Sequence, residues 1–129
     1  MRAGAVDVDS LCGRDLDALV AENLFGLEVQ RRPDRTTGKQ DVFYNTTPRA
    51  RAPSWVHLPE YSHSLAASMD VEKKLREWGW RRHTPPPGWR PGPGQAITLV
   101  LERRDKRRVQ AVGPYGTALC RAALKAVIR

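Results

Sequence analysis

The sequence predicts an α/β protein of the α+β kind: a small, mostly antiparallel sheet with helices packed on it, an α/β/α sandwich. Three observations lead there. Apolar residues recur at helical spacing near the start, the middle and the end of the chain. A run of alternating residues from 96 to 112 reads as a β-hairpin. The order of elements is helix, strand, strand, helix, hairpin, helix, which one sheet with covering helices accommodates.

Residues 14 to 26 form the first expected helix, with Leu16, Leu19, Val20 and Leu24 on one face. Asp15 and Asp17 fall in its first turn, where the helix dipole favours acids, and Gly26 is placed to end it. Leu27 to Arg31 then alternate as a short half-buried strand does. Residues 31 to 53 are polar, basic and punctuated by Pro33, Gly38, Pro48 and Pro53, and read as an exposed excursion. Asp41 to Tyr44 fit a short edge strand within it, and Ser54 to Leu58 another strand closed by Pro59.

The second helix opens at Tyr61-Ser62-His63, with Ser62 as its expected N-cap. It continues through Leu65, Ala66, Met69, Val71, Leu75 and Trp78 to Gly79, with Glu72 and Arg76 paired on its wet side. Residues 80 to 95 hold five prolines and three glycines, and read as a long stiff loop carrying Trp80 and Trp89. Ala96 to Leu101 and Val109 to Val112 are the hairpin arms, and the charged run Arg103 to Arg108 is the turn. Gly113-Pro114-Tyr115-Gly116-Thr117 leads into a last helix with Leu119, Ala122, Ala123 and Val127 on one face.

At 129 residues the chain is expected to be one domain, 1–129, with its irregular basic excursions at 31–53 and 80–95. Lysine and arginine number 22 against 14 acids, a formal charge of +8 that favours anionic partners. The alternative is a solvated basic face that keeps the protein dispersed. Cys12 and Cys120 belong to no metal-binding spacing and read as buried thiols. The early aspartates and the lack of an apolar run argue against a signal peptide or a membrane span, which makes the cytoplasm the expected location.

Three segments, LCGRDLDALVAENLFGLEV at 11–29, PEYSHSLAASMDVEKKLREWGW at 59–80 and ALCRAALKAV at 118–127, carry a family resemblance. Gly13, Leu16, Asp17, Leu19, Val20, Ala21, Glu22 and Gly26 match a Gly-x-x-Leu-Asp-x-Leu-Val-Ala-Glu helix and its ending. Pro59, Tyr61, Ser62, Ala66, Ala67, Glu72, Lys74 and Leu75 follow a Pro-x-Tyr-Ser helix opening, and Cys120, Ala122, Ala123 and Leu124 a Cys-x-Ala-Ala-Leu element. The chain thus resembles the phage ABA sandwich family of small bacteriophage and prophage proteins. It departs at Leu27, where that family often has Trp, at His63 and Ser64 for Thr-Asp, and at Met69 for Trp. The resemblance implies a helix/sheet/helix sandwich and a phage origin, and no activity.

Two helix openings stand out as candidate ligand sites. Tyr61, Ser62 and His63 precede one helix, and Tyr115 and Thr117 another. Each sets a tyrosine and a small hydroxyl beside free backbone N–H groups, which attract anions. If the two share a face they share a pocket; otherwise they are ordinary caps. A second candidate is the loop with Trp80, Arg81, Arg82, His83, Trp89 and Arg90, which mixes stacking surface with fixed charge. The third is the hairpin tip, where Arg103 heads five cations within six residues. Such a run also discourages edge pairing.

No catalytic motif is present in the sequence. His57, His63 and His83 lack metal spacing with any nearby cysteine or carboxylate, so neither a cofactor nor a metal is expected. A His57/His63 pair acting on a phosphodiester is the remaining catalytic alternative. The leading expectation is a protein that binds and sequesters an anionic nucleotide, such as a bacterial immune signal, with homo-oligomers building the pocket. A nucleic-acid-binding accessory protein and an inhibitor anchored on a host protein through Trp89 are the alternatives.

Overall fold

The computed structural model describes residues 7–86, 89 and 95–128. A single 3₁₀ turn at Val8–Ser10 precedes helix α1, Gly13–Asn23, which buries Leu16, Ala18, Val20 and Ala21. Gly26, at φ +66°, turns the chain so that the Leu27 N–H donates to the Ala21 carbonyl at 3.0 Å. Strands β1 (Val29–Pro33), β2 (Gln40–Asn45) and β3 (Trp55–His57) pair antiparallel in that order. Helix α2, Leu65–Glu77, leads through Gly79 into β4 (Trp80–Thr84), β5 (Ala96–Arg103) and β6 (Arg108–Pro114), a second antiparallel sheet in chain order. Helix α3, Tyr115–Ile128, closes the fold.

The α+β class and the antiparallel pairing agree with the sequence reading. The strands, however, fall into two sheets of three. Helix α3 packs against α1, α2, β5 and β6. Its Ala118, Leu119, Cys120, Ala122, Ala123 and Leu124 are all buried, as a helix covered on most sides requires. Its alanines let the neighbouring elements approach closely, while each buried leucine contributes roughly 1.5–3 kcal/mol. Strand β6 alternates without exception: Val109, Ala111 and Gly113 are buried, and Arg108, Gln110, Val112 and Pro114 are exposed. One face of this sheet therefore meets the helices and the other meets solvent.

Several expectations are corrected. The basic excursion at 31–53 holds the end of β1 and all of β2, and β2 is the central strand of its sheet because it pairs on both sides. The loop expected at 80–95 begins with β4, since the prolines start only at Pro85 and leave five residues free to pair. That strand pairs with β5 alone, as an edge must. Helix α2 begins at Leu65 with Ser64, not Ser62, as its cap; the Ser64 hydroxyl accepts from the Ala67 N–H at 3.3 Å. Met69 is exposed, and so is Cys12; Cys120 is buried, and burial pushes its thiol pKa up. Among the described residues, no helix is long and apolar enough to cross a membrane.

Candidate functional site

The two helix openings singled out in the sequence do meet, as a packed joint. Tyr61 is buried and stacks on Phe25, with ring centroids 5.1 Å apart and planes 15° apart. Burial pushes its hydroxyl up to about 12. The Ser62 N–H donates to Asp17 Oδ1 at 2.8 Å, and the Ser62 carbonyl accepts from the Thr117 hydroxyl at 3.4 Å. A Cβ on Gly116 would lie 2.5 Å from that same carbonyl, so only glycine fits there. His63 is exposed, and its Nδ1 lies 3.0 Å from the Ser62 hydroxyl.

Tyr115 sits beside this joint and belongs to a second cluster. Its hydroxyl donates to Glu72 Oε1 at 3.2 Å and accepts from Arg82 Nη1 at 3.0 Å. Burial, with the Glu72 carboxylate, raises its pKa to about 12. Trp89 covers the ring at 6.2 Å, while the Arg82 guanidinium lies 5.6 Å from its centre. Every buried side-chain polar atom among the described residues has a partner. These openings hold α1, α2, β4 and α3 together through the Ser62 N–H and the hydroxyls of Tyr115 and Thr117. Arg90 lies outside the described residues.

The basic segments converge in part. Arg81, Arg82 and His83 of β4 and Arg103 and Arg104 of the hairpin line one cleft of about 470 Å³. Arg103 is fixed by Asp105, at 2.6 Å, and by the Trp80 ring. Arg82 is held by Tyr115 and Glu72. Among the described residues, Arg81 and Arg104 have no carboxylate partner.

A feature that the sequence reading missed lies on the first sheet. The β1–β2–β3 register puts Gln30, Phe43 and His57 in one row, with Arg32 opposite Asp41 and Trp55 opposite Asn45. Side chains opposite one another share a face. The other face carries Val42, fully buried, and Arg31, which bonds Asp15 of α1, so α1 covers that side. The Phe43 row is open to solvent. There the Arg32 guanidinium lies 5.8 Å from the Phe43 ring centre and 5.9 Å from that of Trp55. With Pro33, Asp34 and Arg35 these residues form a groove of about 320 Å³. Neither Arg32 nor Arg35 has a carboxylate partner among the described residues. The available signal was period-two alternation: Asp41, Phe43 and Asn45 on one face of a strand, with arginines in the strand before it.

At the edge of that groove, His57 stands between two carboxylates. Its Nδ1 lies 3.1 Å from Asp41 Oδ2 and its Nε2 lies 3.2 Å from Asp34 Oδ2. Sequence spacing gave no hint of this set, because Asp34 comes from the β1–β2 turn, Asp41 from β2 and His57 from β3. Arg14 of α1 anchors Asp41 from behind. Its Nε donates to Asp41 Oδ1 at 3.0 Å, and its other nitrogens reach Asp17 and the carbonyls of Val42, Leu58 and Pro59. Partial burial pushes the Asp41 carboxyl up, but the Val42 N–H, Arg14 and His57 more than offset it and hold its pKa below the ordinary value. A cleft of about 660 Å³, lined by Arg14, Asp41, His57 and Glu60, opens on the far side.

Chemically, the groove can stack a flat ring and balance a negative charge, and the Asp34/His57/Asp41 set can exchange a proton or hold a cation. No protein-family model matches the chain, and no curated protein matches it.

Proposed function

We propose that the protein binds a nucleotide-type anion in the groove of Arg32, Arg35, Phe43 and Trp55, and holds it without turning it over. The observation that carries this reading is Arg32 resting over two aromatic rings on an open sheet face, in no ion pair with a carboxylate among the described residues. A guanidinium is flat and cationic, and it occupies the place a nucleobase would take. When a base stacks on Phe43 and Trp55, Arg32 is released toward the phosphate beside Arg35. Stacking plus fixed positive charge is the common chemistry of such surfaces. The groove's volume of about 320 Å³ lies at the lower end of the range for small-molecule sites, which suits one nucleotide unit. A protein that holds such a ligand unaltered acts as a sink for it. That is the counter-defence role consistent with the proposed phage origin.

Calorimetry with mononucleotides, cyclic dinucleotides and ADP-ribose tests this directly. At least one is expected to bind more tightly than ~100 μM, near −5.5 kcal/mol, and Trp55→Ala is expected to weaken it. No binding above that threshold across the panel overturns the reading.

A second reading, single-stranded nucleic acid, is favoured by one further observation. The Arg81/Arg104 cleft, which also holds Glu102, offers a second patch with an excess of cations, on the other sheet. A strand would then bind with affinity that falls steeply as salt rises, and more tightly than any mononucleotide.

A further inference from the structure

We propose that Asp34, Asp41 and His57 form a binding site for a first-row divalent metal ion, with Zn²⁺, Co²⁺ and Mn²⁺ as the fitting class. The three side chains offer one ligand atom each, and these atoms all lie within 4.8 Å of one another. Carboxylate oxygen and imidazole nitrogen bind such ions at about 2.0–2.2 Å, so donors around one ion lie at most ~4.4 Å apart. The set is thus gathered in one place before any ion arrives, and closing on one ion requires the His57 ring to turn and the carboxylates to draw in. Two oxygens and one nitrogen suit a borderline ion better than Mg²⁺ or Ca²⁺, which take all-oxygen shells.

The surroundings support the assignment independently. Asp41 uses its second oxygen, Oδ1, on Arg14 Nε at 3.0 Å and on the Val42 N–H at 2.7 Å, which leaves Oδ2 directed at the cluster. Supporting bonds of this kind orient a ligand and keep it ionised. Asp34 Oδ1 is likewise taken by the Thr36 N–H at 2.7 Å, which leaves Oδ2 for the ion. His57 can give only one ring nitrogen, and its side chain is 57 % exposed, so the ring has room to turn. The remaining coordination positions open on solvent: the 660 Å³ cleft on the Asp41 side and the aromatic groove on the Asp34 side. Three protein ligands with open positions are the arrangement of an exchangeable or working site, not of a closed structural one.

This proposal does not rest on nucleotide binding, and its test contains no nucleotide. Untagged protein is titrated with Co²⁺ and followed by visible absorption, with Zn²⁺ then added as competitor. One Co²⁺ per chain is expected, displaced by Zn²⁺. His57→Ala and Asp34→Asn are each expected to weaken binding by more than tenfold; loss of a merely supporting contact already costs about 10–100-fold. Asp105→Asn, a carboxylate outside the cluster, is expected to leave affinity unchanged. Circular dichroism confirms that the variants fold. If Co²⁺ shows no saturable binding below ~1 mM, or if both ligand variants bind it as the parent does, the three side chains are an ion-paired cluster only and the proposal fails.

Discussion

The joint around Ser62 and the open face of the first sheet use the same chemical vocabulary to opposite ends. Both contain aromatic rings, an arginine and carboxylates. At the joint, the Asp17 carboxylate is fully buried, and it is matched by the Ser62 N–H and by Arg14. On the open face, Arg32 and Arg35 form no ion pair among the described residues, and the Phe43 and Trp55 rings beside them are half-buried. Polar groups inside a fold must be satisfied by the fold. Groups that a protein keeps for a partner must instead be left partly unsatisfied where water can reach them. The joint thus spends its polar groups inside the fold, while the groove proposed as the binding site keeps its arginines within reach of water, although the sequence motif at the joint is the more conspicuous of the two.

The largest effect expected from breaking this comparison is at Asp17. Removing one member of a buried charge pair costs about 3–5 kcal/mol, and the lower end applies here because Arg14 keeps its pair with Asp41 and its bonds to three carbonyls. Asp17→Ala also strands the Ser62 N–H, so urea unfolding should show a loss in that range. Asp17→Asn keeps an acceptor for Ser62 and should lose less. If the two variants unfold alike, the hydrogen bond to Ser62 contributes little and the ion pair with Arg14 is the whole effect.

Gly116→Ala is next. Its new methyl group would meet the Ser62 carbonyl at 2.5 Å, and backbone cannot give way as a flexible side chain does. Overpacking of this sort costs about 1–3 kcal/mol. Alanine would otherwise favour a helix, so a loss of thermal stability in this variant isolates the close approach of α3 to the 61–62 turn.

These two sites also show what the sequence could reveal. Three helices and a hairpin were legible because apolar periodicity is a local signal. The Asp17 and Ser62 positions stood out together in the family-like motifs, but their contact spans 45 residues and no spacing rule reveals it. Strand β4 was hidden by its neighbours: the prolines from Pro85 onward dominate the composition of 80–95 and mask Trp80 to Thr84. The split into two sheets depends on which strands pair across long stretches of chain, which no local spacing rule reveals. The groove and the Asp34/Asp41/His57 set come from three strands and a turn, and they assemble only once the register of β1, β2 and β3 is fixed.

Trp55→Ala separates the two regions most cleanly. Loss of a stacking ring costs about 1–3 kcal/mol of nucleic-acid or nucleotide affinity, so ligand binding should weaken roughly fivefold to 150-fold. Trp55 lies on an edge strand of three residues and is only half-buried, so its effect on unfolding should stay under about 1 kcal/mol. Arg32→Ala should behave in the same way. A variant that loses stability as much as affinity would make the groove a second joint.

The smallest effect is expected at Tyr115. Its pKa and that of Tyr61 are raised to about 12 from the ordinary 10.0, so the folded state favours their protonated hydroxyls. The stability they contribute is complete below pH 10 and is lost as pH rises toward 12. Phenolate absorbance should therefore show two late-titrating tyrosines in the folded protein, and Tyr61→Phe and Tyr115→Phe should each remove one of them. Tyr115→Phe also gives up the bonds to Glu72 and Arg82, and a hydrogen bond is worth about 1 kcal/mol net. Arg82 Nη1 already lies 3.6 Å from Glu72 Oε1, so the two can close on each other and offset part of that loss. A destabilisation well above 1 kcal/mol would mean that Tyr115 holds α3 to α2 and β4 as firmly as Asp17 holds α1 to the turn. The joint would then extend to Trp89, whose ring covers that of Tyr115.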